Sequence, residues 1–204
     1  MNVINDYEKL KRHIIRYLGE NLSQKRIDHT YKVVDEAIRL ARRNGVDAEL
    51  AEIAALCHDM MRDSDIGLLN SMMEETGMPG LYIDNRNLSH GKAAAIVMER
   101  DFGISNREVL NAVLYHTTGR PGMTTLEKIV FLADVIEPSR SFSGIEEIRS
   151  AARQDITMAC FLAMKHLIRR LEKMGQRYDP ITNEAKKDLK KEMMERGKEW
   201  ITGK

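Results

Sequence analysis

The 204-residue sequence is poor in most features that assign a chain to a class at sight. It has two cysteines, Cys57 and Cys160, both inside apolar stretches. That is too few for a disulfide framework and points to a reducing compartment, the cytoplasm. Aromatic residues are 5% of the chain, so the 43% that is hydrophobic must pack largely through aliphatic side chains and the 13 methionines. The longest unbroken apolar run is seven residues, 158–164. A bilayer span needs about 20, so no membrane partner is expected. Residues 1–6 lack the basic start and apolar stretch of a secretory signal. Charge of one sign is missing too: 32 Lys and Arg face 31 Asp and Glu, a net of +1, which argues against a broad basic footprint for nucleic acid or anionic lipid. The dinucleotide, P-loop, nucleophile-elbow, H-E-x-x-H and C-x-x-C signatures are all absent, so bound phosphate would have to be held by side chains and a metal.

The apolar periodicity is helical almost throughout, and no stretch alternates long enough for a half-buried strand. The fold class is therefore all-α. Helices are expected at residues 6–18, 25–43, 50–59, 64–75, 90–102, 105–116, 124–136, 145–149 and 154–174. Gly45 and Gly103 stand where a left-handed helix end belongs, Asp47 caps the third helix, and Ser105 with Glu108 forms a capping box. All four prolines, Pro79, Pro121, Pro138 and Pro180, fall between helices, where a missing N–H does least damage. Residues 175–182 read as a loop. Residues 183–204 carry seven basic and five acidic residues with Leu189, Met193, Met194, Trp200 and Ile201 as apolar anchors. They read as a solvated, charged C-terminal helix, with a homodimer contact as the alternative, beyond a single domain of residues 1–182.

Polar residues that interrupt these apolar patterns carry the chemistry. His58 and Asp59 close the most apolar helix, and Asp134 follows Ile129, Val130, Phe131, Leu132 and Ala133. An unpaired buried carboxylate costs several kcal/mol, so each acid needs a cation or several donors. His29, His90 and His116 start or end other helices. Singly, they also read as a surface residue, an N-cap and a helix-dipole partner. Together they are most economically satisfied by a shared metal, for which imidazole and carboxylate suit Fe, Mn, Zn or Co.

The ordered set His29, His58-Asp59, His90, His116, Asp134 resembles the HD-domain metal-dependent phosphohydrolases. Arg26-x-x-His29-Thr30, the segment from Tyr115 and His116 through Thr117, Gly119, Arg120 and Pro121, and the segment Asp134, Glu137, Pro138, Ser139, Arg140 are similar to the YqeK family of that superfamily, over a stretch reaching Thr182. The resemblance implies an HD-domain helical bundle and symmetrical cleavage of diadenosine tetraphosphate, or a related dinucleotide, to two ADP. It implies His29, His58, Asp59 and Asp134 as metal ligands and iron as the metal. His90 and His116 then bind a second metal or face phosphate, so that Asp59, His90 and His116 are the catalytic candidates. Arg26, Arg62 and Arg140, with Arg120 and Lys92, would clamp phosphate beside Thr117. Arg177, Tyr178, Asp179, Pro180, Ile181 and Thr182 match a loop that touches the nucleotide, where Tyr178 stacks on adenine or simply packs. Arg62 stands where the family has lysine, and Gly91-Lys92 follow His90 where a small residue and often proline is usual. The alternatives are hydrolysis of another nucleotide, linked by label to NAD metabolism, or a metal- or nucleotide-binding regulator without turnover.

Overall fold

The computed structural model describes residues 7–202, with side chains described through residue 197. The reading of residues 1–6 and the anchors Trp200 and Ile201 lie outside those limits. Among the described residues there are ten α-helices and no strand: α1 (Tyr7–Asn21), α2 (Gln24–Arg43), α3 (Ala48–Cys57), α4 (Ile66–Glu75), α5 (Arg86–Phe102), α6 (Arg107–Leu114), α7 (Thr125–Ile136), α8 (Ile145–Ala152), α9 (Ile156–Lys173) and α10 (Ile181–Thr202). None is long and apolar enough to cross a membrane.

Helix α7 is the axis. Nearly its whole circumference is buried, from Leu126 to Ala133, as an all-round apolar helix must be. It packs on α2, α3, α6, α8 and α9, and α3 sits between α1, α2, α6 and α7. The ends follow local chemistry. Asp47 caps α3 by accepting from the Glu49 N–H at 2.8 Å, and Gly45 and Gly103 adopt φ of 67° and 65° after α2 and α5. These left-handed values are cheap only without a Cβ.

Four boundaries differ from expectation. The cap of α6 is Asn106, whose side chain accepts from Glu108 and Val109 N–H at 3.0 and 3.2 Å; Ser105 makes no capping bond there. Helix α5 begins at Arg86, so His90 lies one turn inside it and is no N-cap. Helix α3 stops at Cys57, leaving His58 and Asp59 in the turn that follows. Finally, α10 starts at Ile181 and is only partly solvated: Ala185 and Leu189 join the main core, and Glu192 takes the buried Lys128 of α7 at 2.7 Å. A solvated face with one apolar stripe reads the same whether that stripe meets water or α9.

Candidate metal centre

The bundle brings five of its elements to one point. His29 projects from the second turn of α2, His58 and Asp59 from the turn after α3, His90 from α5, His116 from just beyond α6, and Asp134 from α7. His58, Asp59, His90 and His116 are buried, and the His29 side chain is only 11% exposed. Asp134 differs from the sequence expectation of a buried acid. Its side chain keeps 21% exposure, beside His29 and Arg140, which line a cleft.

The imidazoles are oriented by what their Nδ1 atoms meet. The Nδ1–H groups of His58, His90 and His116 donate to the carbonyls of Ala55, Arg86 and Val113 at 2.6, 2.7 and 2.7 Å. That of His29 faces the Glu137 carboxylate at 3.2 Å. For His58, His90 and His116 the acceptor is a carbonyl, which takes the Nδ1 proton and leaves Nε2 turned inward with its lone pair. His29 lies between two carboxylates, and although burial pulls its pKa down, the hydrogen bond to Asp134 outweighs that and raises it. Nε2 of His58 is buried with no hydrogen-bond partner, and Nε2 of His29 meets only carboxylate oxygen. Nε2 of His90 and Nε2 of His116 lie 3.0 Å apart, lone pair against lone pair. A cation among them would remove that repulsion and satisfy the orphan.

Asp59 divides the cluster. Its Oδ1 is 3.0 Å from His90 Nε2 and 3.9 Å from His116 Nε2, and its Oδ2 is 3.7 Å from His58 Nε2 and 3.9 Å from His29 Nε2. On the other side, Asp134 Oδ1 is 3.0 Å from His29 Nε2. Two groups of three thus have donor atoms within 4.8 Å of one another: His29, His58 and Asp134, and Asp59, His90 and His116. The donor set fits a divalent metal, since imidazole nitrogens and carboxylate oxygens are the ligands such ions take and no thiolate intrudes. Burial, then the neighbouring His90 and His58, push His116 down to about 3, so it is neutral and able to ligate. Burial pushes Asp59 up, but the flanking His58 and His90 outweigh it and hold the carboxyl well below the usual range.

Around this centre the arginines are occupied. Arg26 reaches Asp59 Oδ2 at 3.3 Å, and Arg140 holds the Asp134 carboxylate and its carbonyl, the latter at 2.9 Å. Arg62 donates to the Arg86 carbonyl that His90 also uses, and to Asn87 Oδ1 at 2.7 Å, while Arg120 is bidentate on Glu127. Arg26 and Arg140 keep further N–H groups and line the cleft; Arg62 and Arg120 are braces. Thr117 is half-buried beside His116. Residues 177–182 form the turn into α10. Asp179 there accepts from the Tyr82 hydroxyl, near the buried Lys92, whose ammonium lies 4.2 Å from the Tyr115 ring. Tyr178 is tied by its hydroxyl to Glu172 and Asn183, Arg177 and Pro180 are exposed, and Thr182 is buried.

Two residues of the centre escape sequence reading. Glu137, 1% exposed, orients His29 while accepting from Ser139 N–H at 2.6 Å and from the Ser139 hydroxyl. Its signal was its place three residues past Asp134, at the helix end. Gly91 lets His116 approach α5: a Cβ there would lie 2.8 Å from the His116 ring. No local pattern announces that contact.

Comparison with known proteins places this geometry. The signature of the HD domain spans residues 26–139, which contain all six cluster residues. The chain is 37% identical to a Bacillus subtilis protein named symmetrical bis(5′-nucleosyl)-tetraphosphatase, over 80% of this chain and 88% of that one. A protein of the same name from Halalkalibacterium halodurans is 36% identical, over 82% and 90%. A Clostridium acetobutylicum crystal structure, described as a predicted HD superfamily hydrolase involved in NAD metabolism, superposes with a TM-score of 0.85 at 36% identity, covering 89% of this chain and 97% of that one.

Proposed function

The chain belongs to the HD-domain family, among its symmetrical bis(5′-nucleosyl)-tetraphosphatases, and on that premise we propose that it hydrolyses diadenosine tetraphosphate, or a related dinucleoside tetraphosphate, to two nucleoside diphosphates. The observation that carries the reading is the ring of four histidine Nε2 atoms closed around Asp59 at 3.0–3.9 Å.

We assign His29, His58, Asp59 and Asp134 to one metal, and His90 and His116, sharing Asp59, to a second. The two oxygens of Asp59 face the two histidine groups, which supports that sharing. Iron is the proposed metal, within a donor set that also accepts Mn, Co or Zn. A divalent cation there supplies Lewis acidity for a phosphoryl oxygen and a nucleophilic water near neutral pH.

The chain's own residues do the rest. The four Nδ1–H bonds hold the rings rigid, so no reorientation is needed as the reaction proceeds. Glu137 keeps the His29 proton on Nδ1. Arg26 and Arg140 spend part of their guanidinium donors on Asp59 and Asp134 and turn the remaining N–H groups to the cleft, where they meet phosphate oxygens. A nucleoside diphosphate leaves readily, so little general-acid help is required. Asp179 and Tyr178 are the proposed contacts at the nucleoside end. A cytoplasmic setting is supported by Cys57 and Cys160, both buried free thiols.

The test is to incubate metal-loaded protein with diadenosine tetraphosphate and resolve the products. ADP alone supports the proposal. ATP with AMP means asymmetric attack, and no product favours another nucleotide or a binding role.

A further inference from the structure

A cleft of about 450 Å³ opens beside His29, between α2 and the turn after α7, lined by Lys25, Arg26, Asp28, His29, Lys32, Glu137, Ser139 and Arg140. Four of these side chains are cationic and two acidic, on a chain whose net charge is +1. The cations are not equivalent. Arg26 is engaged with Asp59 and Asp63, and Arg140 with Asp134 and Glu137. Glu137 is spent on Ser139 and His29, and Asp28 accepts from the Gln24 amide at 2.7 Å. Lys25 and Lys32 are exposed and have no ion pair among the described residues. The free positive charge of the cleft is theirs.

Their register matters. Lys25, His29 and Lys32 stand at i, i+4 and i+7 of α2, one face of the helix, with the metal-facing histidine between the two lysines. Seven residues of helix rise about 10 Å, a span longer than a single phosphate group. The lysine pair therefore straddles the opening through which a chain of linked phosphates would enter.

We propose that Lys25 and Lys32 form a phosphate-chain track on α2 that grips the polyphosphate of the substrate on either side of the scissile bond and makes this chain select for long phosphate bridges. This rests on the proposed function for the identity of the substrate, but not for the track itself: any linked polyphosphate is a ligand by the same chemistry. A single phosphate can reach one lysine, and a linked chain reaches both.

The experiment therefore has two parts. Binding of inorganic tripolyphosphate and of orthophosphate to the full chain is measured by calorimetry for the parent protein, for Lys25→Gln with Lys32→Gln, and for Lys190→Gln on α10 as a control of equal charge loss per site. Removing the ion pair that each exposed lysine makes with phosphate is expected to weaken tripolyphosphate binding roughly 10-fold per site, and the salt dependence of binding should flatten. Orthophosphate binding should change much less, and Lys190→Gln should leave both unaltered. Equal weakening for the two ligands, or less than a two-fold change for tripolyphosphate, overturns the track. Steady-state kinetics on diadenosine tetraphosphate and triphosphate form the second part: the double variant should raise KM for the tetraphosphate with kcat nearly kept, and narrow the preference for it. A fall confined to kcat overturns the proposal. If the parent protein turns over neither dinucleotide while the tripolyphosphate difference stands, the functional reading fails and the track survives.

Discussion

Replacing Glu137 by Gln is a sharp perturbation of the metal centre because it changes one charge and one donor while leaving shape alone. The side chain is 1% exposed and saturated on both oxygens: Oε1 faces His29 Nδ1 at 3.2 Å and the Ser139 hydroxyl at 2.7 Å, and Oε2 accepts from Ser139 N–H at 2.6 Å. A glutamine has one oxygen to serve both sides. If its amide NH₂ turns to His29, donor meets donor, the ring proton moves to Nε2, and the lone pair needed for the metal is lost. If the NH₂ turns to Ser139, the backbone N–H loses its acceptor and the turn carrying Arg140 loosens. Either way the orienting partner of a metal-facing histidine is damaged, which costs 10- to 100-fold in metal affinity, about 1.4–2.7 kcal/mol. Competition calorimetry against a chelator of known strength reads this directly, with circular dichroism as the check that the fold is kept. Unchanged metal affinity in a folded Glu137→Gln protein would refute the view that the Nδ1 contacts set the site.

Asp59→Ala and Asp134→Ala should each abolish turnover and strip metal from the protein on elemental analysis; full activity in either means the ligand assignment is wrong. Gly91→Ala places a methyl 2.8 Å from the His116 ring, against a backbone carbonyl at 3.1 Å, so His116 must move and kcat/KM should fall about 10- to 100-fold; parent-like kinetics would contradict the contact. Burial lowers the Lys92 ammonium from its ordinary 10.5 to about 8, and because the group is still charged at neutral pH the folded chain carries the full cost there, about 3 kcal/mol, of which contact with the Tyr115 ring returns about 1–2. Lys92→Met should therefore raise stability by about 1–2 kcal/mol at pH 7, and the gain should shrink as pH rises from about 8 towards 10.5, where the lysine is neutral in both states. Urea unfolding across that range checks the sign; a gain that grows with pH contradicts it.

Much of the scaffold was legible because its punctuation is local. Asp47, Gly45, Gly103 and the four prolines each act within a turn of where they stand, so the helices they bound were readable to within a few residues. The start of α5 was not, since Asn85 makes no side-chain capping bond and leaves no signature. The six cluster residues stood out because polar side chains inside apolar helices must be satisfied somewhere. What satisfies them is tertiary. Asp59 facing two histidine groups with two oxygens, Arg140 holding Asp134, and Arg62 bracing the His90 acceptor are contacts between segments that no periodicity relates. In sequence, the braced arginines look like free phosphate clamps, whereas Lys25 and Lys32 share a face with His29 by helical register but look like any surface lysines. Helix α10 shows the same limit: its charge pattern is that of a surface helix, and its Ala185 and Leu189 stripe takes meaning only against the core.

On the proposed function, these histidines and aspartates hold a metal and the chain cleaves a dinucleoside tetraphosphate symmetrically. The direct measurement is product analysis by mass spectrometry on protein stripped with chelator, before and after a divalent metal is restored. No product from the stripped protein, and ADP as the sole nucleotide product after restoration, is the predicted result. Turnover without metal, or ATP and AMP in its presence, contradicts it.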